Sequence, residues 1–335
     1  MGRYLLMISK VRLLQGMTAP RSIASKWPLP LQLLFLVVLI LSFSSVFTLL
    51  AMALIKPIYG ILGADTLLAE AAANPESLSG VDNKINALKF IQLCTTLGTF
   101  LFPAFMYSFV QAPMGDFIRL KQTGKPVLFG LAILGMLCAV PMIGMLYDWN
   151  RNVQLPANIM QTVKRAEDQA SALTHLFLEM PSYAALFFNL LVIGIMPAIG
   201  EEFLFRGVLQ RLFQDRIRNA HIAIWLTAAI FSLVHFQFLG FLPRMILGGM
   251  LGYAFYYSGS IWVPVVAHAF NNSAQVIMAF LFQQGIISYN VENTESTPIY
   301  LGILSLFISI LIIALMYRRR FVFDVSKQVN PDENT

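Results

Sequence analysis

Apolar residues run along this chain in eight long blocks, near 31–55, 88–110, 126–147, 183–203, 222–240, 242–258, 261–282 and 299–317. A helix needs about 20 apolar residues to cross the hydrocarbon of a bilayer, and each block approaches or exceeds that length. The pattern predicts eight membrane-crossing helices, the fifth, sixth and seventh joined by tight turns. Two polar intervals are long, about 56–87 and 148–182. The second carries Leu173, Leu176, Phe177 and Met180 at helical spacing, which predicts a short helix lying on the membrane face or packed against the other helices. "AMA" at 51–53 has the look of a signal-peptide cleavage site. The apolar stretch before it is too long and its lead-in too extended, so a retained signal-anchor is the better reading.

Composition agrees with the pattern. The chain is 57% hydrophobic and 12% charged, with a mean hydropathy of +0.69, against about 25% charged residues in soluble domains. The fold class is all-α, a polytopic membrane protein with about eight transmembrane helices. The net charge of +6 calls for no nucleic acid, because basic residues of membrane proteins gather on the cytoplasmic side. Residues 1–30 hold Arg3, Lys10, Arg12, Arg21 and Lys26 and no acid, and "YRRR" closes the last block at 317–320. Both termini are therefore expected in the cytoplasm, in a bacterial-type inner membrane. Cys94 and Cys138 lie in apolar blocks. They read as small core residues rather than a disulfide framework or a metal site.

Ionisable groups inside such blocks are costly and usually functional. Glu201, Glu202 and Arg206 lie at the end of the fourth, His235 in the fifth and His268 in the seventh. His175 and His221 fall in solvated segments. With about 1.5 Å of rise per residue and antiparallel neighbours, Glu201, His235 and His268 come to similar heights. Glu202 and Arg206 are four apart and can pair on one face, with Glu201 about 100° away toward a different neighbour. His268 and Asn272 also share a face. Pro197 and Pro264, each four residues before a candidate group, should free a carbonyl and bend their helices.

The motifs "EEFLFR" (201–206), "FSLVH" (231–235) and "HAFNN" (268–272) resemble, in order, the EExxxR, FxxxH and HxxxN motifs of the CPBP (Abi) family, type II CAAX prenyl endopeptidase-like intramembrane proteases. The resemblance implies a catalytic core at 183–285. Around it lie a basic N-terminal segment (1–30), N-terminal transmembrane helices with two long outer loops (31–182), a last outer loop and helix (286–320) and a polar tail (321–335). It implies that Glu201 is general base on a water, that His235 holds that water or a metal, and that His268 and Asn272 form an oxyanion hole. Glu202 and Arg206 become an orienting ion pair. Asn271 is a second candidate beside Asn272. Glu201, His235 and His268 could hold Zn²⁺, although no HExxH is present, so a metal requirement stays open. The expected partners are a peptide or protein substrate, membrane-associated or not, and the lipid bilayer, with the cavity expected to open to the cytoplasm. Two other functions fit the same residues: a catalytically silent immunity or binding protein of this fold, and a proton-coupled transporter, against which the lack of inverted repeats counts.

Overall fold

A computed structural model describes residues 26–111, 117–217, 219–288 and 297–320. The basic N-terminal segment up to residue 25 and the tail from 321 lie outside these residues. Among them there is no strand. All eight predicted blocks are helices. Six are long and apolar enough to cross a membrane: α1 (Leu29–Tyr59), α3 (Asp82–Gln111), α4 (Pro126–Arg151), α6 (Tyr183–Ile217), α9 (Trp262–Gln283) and α10 (Ile299–Arg319). α7 (Ala220–Leu233), with 14 residues, is shorter, and α8 (Phe241–Ser258), with 18, carries Arg244 and several glycines. The two long polar intervals are not plain loops: α2 (Ala64–Ala73) occupies one and α5 (Ala157–Leu178) the other.

Local chemistry sets many ends. Pro126 starts α4 where its missing N–H costs nothing. The Ser182 hydroxyl caps α6 by accepting from the Ala185 amide at 3.2 Å, and Asn219 Oδ1 accepts from the His221 amide at 3.0 Å at the start of α7. α8 stops at Gly259, whose φ of 67° suits glycine. The fifth block was expected to stay helical to 240, yet α7 ends at Leu233. The Ser232 hydroxyl donates to the Phe241 carbonyl at 2.6 Å, Phe236 adopts φ 53°, and the chain turns through 234–240 into α8. His235 therefore sits in a turn just past a helix end, not inside a helix. Pro264 is also corrected. It lies in the first turn of α9, where no intrahelical bond is lost, so it does not open that helix.

The helices alternate in direction, and their ends meet at two faces. At one face, Trp262 Nε1 donates to the Leu120 carbonyl at 2.9 Å, Arg216 to the Trp27 carbonyl at 2.7 Å, and Lys125 Nζ to the Arg319 and Arg320 carbonyls at 3.3 and 3.2 Å. At the other, Asn83 donates to the Tyr59 carbonyl at 2.8 Å and the Met180 amide to Gln283 at 3.0 Å. α5 belongs to this second face. Its Leu176 is buried against the α1–α2–α3 cluster with Leu173 and Phe177 beside it, so the C-terminal part of this helix is packed rather than lying free. Met180, past the end of α5, packs with Val276 and Phe280 of α9.

Polar pairs stitch α1 to α3: Thr48 to Thr95 at 2.8 Å, Thr99 to Ser44 at 2.9 Å, and Tyr107 to Gln32 at 2.8 Å. Such interhelical bonds contribute about 0.6 kcal/mol each on average in membranes. One apolar cluster joins α6 to α1, α3, α7, α8 and α9, and a second joins α4, α8, α9 and α10. The first fills the part of the bundle around the polar groups of α6.

Candidate active site

α6 is irregular where it carries those groups. Met196–Glu202 is α-helical, but Leu190–Ile195 before it and Phe203–Gln210 after it are wound as π-helix. A π turn widens the helix and changes the direction of the side chains that follow, and such turns are frequent at functional sites. Pro197, which has no N–H to give, falls just after the first of them. Around 194–200 the helix is held close to its neighbours. A Cβ on Gly194 would stand 2.5 Å from the Ser273 hydroxyl of α9, and one on Gly200 would stand 3.0 Å from Phe100 of α3.

Glu202 and Arg206 pair as their spacing predicts, Nη1 to Oε1 at 2.6 Å, and both are fully buried. Arg206 Nη2 also donates to the Gly248 carbonyl at 3.0 Å, and the guanidinium lies 4.8 Å from the centre of the Phe231 ring. The Gly248 carbonyl is reachable because α8 packs tightly on α7 here: a Cβ on Gly248 would meet Phe231 at 3.2 Å, and one on Gly252 would meet Ile224 at 2.8 Å. The cation thus has a carboxylate, a carbonyl and an aromatic face in place of water.

The same Glu202 Oε1 lies 2.8 Å from His268 Nδ1. A carboxylate only accepts, so Nδ1 carries the proton and Nε2 is the nitrogen turned outward. Nε2 lies 3.9 Å from Glu201 Oε2. The two glutamates were expected to face different neighbours; instead they bracket one imidazole. Exposure separates their situations. Glu202 and Arg206 are at 0%, whereas Glu201 and His268 keep 9% and 8%, so only the latter two border open space.

His235 donates Nδ1–H to the Phe231 carbonyl at 2.7 Å, which leaves Nε2 with its lone pair. Its ring and that of His268 pack against the same Phe231 ring, with centroids 5.1 and 6.1 Å away. Phe231 thus brings the imidazole of the turn after α7 and that of α9 to one place. Asn271 and Asn272 are half-buried one turn beyond His268, with Asn271 Nδ2 donating to Asn272 Oδ1 at 3.3 Å. Among the described residues, no group of three or more His, Cys, Asp or Glu side chains is placed to hold a metal ion. Glu201 and His268 supply two neighbouring donors, and His235 does not complete a three-ligand set with them.

Sequence reasoning missed the groups that hold the His235 turn. Arg244 of α8 donates to Gln237 Oε1 at 2.7 Å. Glu167 of α5 accepts from the Leu239 amide at 2.9 Å, and Asn150 Nδ2 donates to the Phe238 and Leu239 carbonyls at 3.1 Å each. Arg244 alone left a trace, as a cation in "FLPRMIL" near an apolar block.

Residues 183–274 match the family model type II CAAX prenyl endopeptidase Rce1-like. This Rce1-like segment takes in all three motifs, and the resemblance read from them is borne out there. Over 84 residues, 24% of its length, the chain is 31% identical to the uncharacterised protein YpbD of Bacillus subtilis (strain 168). It spans 40% of that relative's length. No solved structure matches. With the Rce1-like segment set among six helices long and apolar enough to cross a bilayer, the chain is an integral membrane protein.

Proposed function

We propose that the protein is an intramembrane endopeptidase in which Glu201 activates water. The observation that carries this reading is the shared imidazole: one His268 nitrogen is fixed by a sealed Glu202–Arg206 pair, and the other is turned toward Glu201 at the edge of open space. A carboxylate in that position can take a proton from water as the oxygen attacks a peptide carbonyl. The proton then passes to the departing amine nitrogen as the C–N bond breaks, giving a carboxylate and an amine. Glu202 and Arg206 act through His268, holding its ring and its tautomer. His268 Nε2 and the Asn272 carboxamide lie on one face of α9, where N–H donors would steady the oxyanion. With Nδ1–H given to Glu202, His268 donates from Nε2 only when the ring carries both protons. The Nε2 lone pair of His235 suits it to hold the attacking water. Zinc would be held by Glu201, His268 and His235, a set not assembled among the described residues.

The substrate class proposed is a peptide or protein segment, membrane-associated, in keeping with the Rce1-like match. Incubation of the purified protein with a peptide library, beside Glu201→Gln, tests the reading. Cleavage by the wild type and none by a folded Glu201→Gln is the expected result. Equal cleavage by both removes Glu201 as base.

A further inference from the structure

The polar cluster is closed on one side and open on the other. Toward the face where α6 ends and α7 begins, every residue from Phe203 to Gln210 is buried, and Phe231, Phe255, Ile261 and Val265 complete an apolar plug. Toward the opposite face the burial stops. His235, Gln237, Asn271 and Asn272 are half-buried, and Leu233 and Phe236 are 58% and 86% exposed. The helix contacts follow the same division. α7 and α8 pack against the 203–210 part of α6, and its 183–202 part packs instead on α3 and α9. The less buried side of the cluster, here called the cleft, therefore faces α5 and the 234–240 turn.

The length of α7 deepens this cleft. Fourteen residues rise about 21 Å, while the hydrocarbon is about 30 Å thick. The turn holding His235 is thus recessed below that face. Glu167 and Asn150 reach down to it from α5 and the end of α4.

Charge tells the two faces apart. Lys121, Lys125, Arg211, Arg216 and Arg318 to Arg320 lie at the closed face, with Asp215 the acid among the described residues there. The open face carries Asp65, Glu70, Glu76, Asp82, Asp148, Glu167, Asp168 and Glu179 beside Lys56, Lys84, Lys89, Arg151, Lys164 and Arg165, so acids outnumber bases there. Lys and Arg mark the cytoplasmic side of short connections. The cavity was expected to open to the cytoplasm; the burial pattern points the other way.

We infer that the cleft opens away from the cytoplasm and that the segment cut is presented there, as a peptide already carried across the membrane or the outer flank of a membrane-anchored protein. The substrate class rests on the endopeptidase reading; the direction of the opening does not, and the test uses direction alone.

Single cysteines are placed in a Cys94→Ser, Cys138→Ser background: Gln237→Cys in the turn, Asn272→Cys in the cleft with Asn271→Cys as its alternate, and Thr123→Cys at the closed face. A charged, membrane-impermeant methanethiosulfonate is applied to intact cells and, separately, to permeabilised ones. Gln237→Cys and the cleft cysteine should react to the same extent in both, and Thr123→Cys only after permeabilisation. A cleft cysteine that reacts only after permeabilisation, or in neither condition, overturns the inference, as does labelling of Thr123→Cys in intact cells. None of these readouts needs turnover. An inactive enzyme with an outward cleft and an active one with an inward cleft are therefore told apart.

Discussion

Glu202 holds Arg206 at 2.6 Å and His268 at 2.8 Å through the same oxygen, Oε1, in a place with no exposure to solvent. Removal of either partner therefore changes the other's geometry as well as its own charge balance. Arg206→Ala strands a buried carboxylate and should destabilise the fold by about 3–5 kcal/mol. Thermal unfolding in detergent reads this directly, and an unchanged midpoint would show that the pair does not hold the fold. Arg206→Lys should be intermediate, since an ammonium cannot serve Glu202 and the Gly248 carbonyl with one planar fork.

Chelation separates two chemistries at the same cluster. With water activated by Glu201 alone, a strong chelator should leave cleavage unchanged, and purified protein should hold no stoichiometric zinc. Loss of turnover on chelation, restored by Zn²⁺ and absent in His235→Ala, would return zinc to the mechanism.

Glu167 and Leu239 make a positioning contact at 2.9 Å. A hydrogen bond to a charged group is worth about 1.5–3 kcal/mol. Glu167→Ala should speed amide exchange in 234–240 and lower turnover with the global unfolding midpoint kept. Glu167→Gln keeps an accepting oxygen and should restore both. If neither variant changes exchange in that turn, the contact does not order it.

Gly252 lets α8 approach α7 and Gln210. Its substitution by alanine would put a Cβ 2.8 Å from Ile224 and 2.9 Å from Gln210 Oε1, and overpacking of this kind costs about 1–3 kcal/mol. A drop in the unfolding midpoint is expected, and an unaltered one would mean that the two helices separate without cost.

Periodicity made the helices legible, because lipid and the interhelical core impose the same apolar run over a full crossing. The ion pair was legible as well, since four-residue spacing depends on one helix only. What the sequence hid is what tertiary contact decides. Leu233, Val234, Phe236 and Phe238 carry apolar character past the helix end, around His235 and Gln237. The chain leaves the helix there only because Ser232, Asn150 and Glu167 give its backbone other partners. The π-helical stretches of α6 leave no compositional mark either. Nothing in 148–182 distinguishes Glu167 from the solvated acids around it, and its partner is 72 residues away.

The shortness of α7 bears on the membrane as well as on the cleft. A 14-residue apolar helix in a sheet of lipid about 30 Å thick leaves a mismatch that the bilayer answers by thinning beside it. Headgroups and their hydration would be drawn down along this flank to the depth of His235. Hydrolysis within a hydrocarbon slab consumes one water per bond cut, and a dimpled leaflet is a route for that supply. Turnover should then depend on acyl-chain length, falling in thick bilayers where the dimple is hardest to form.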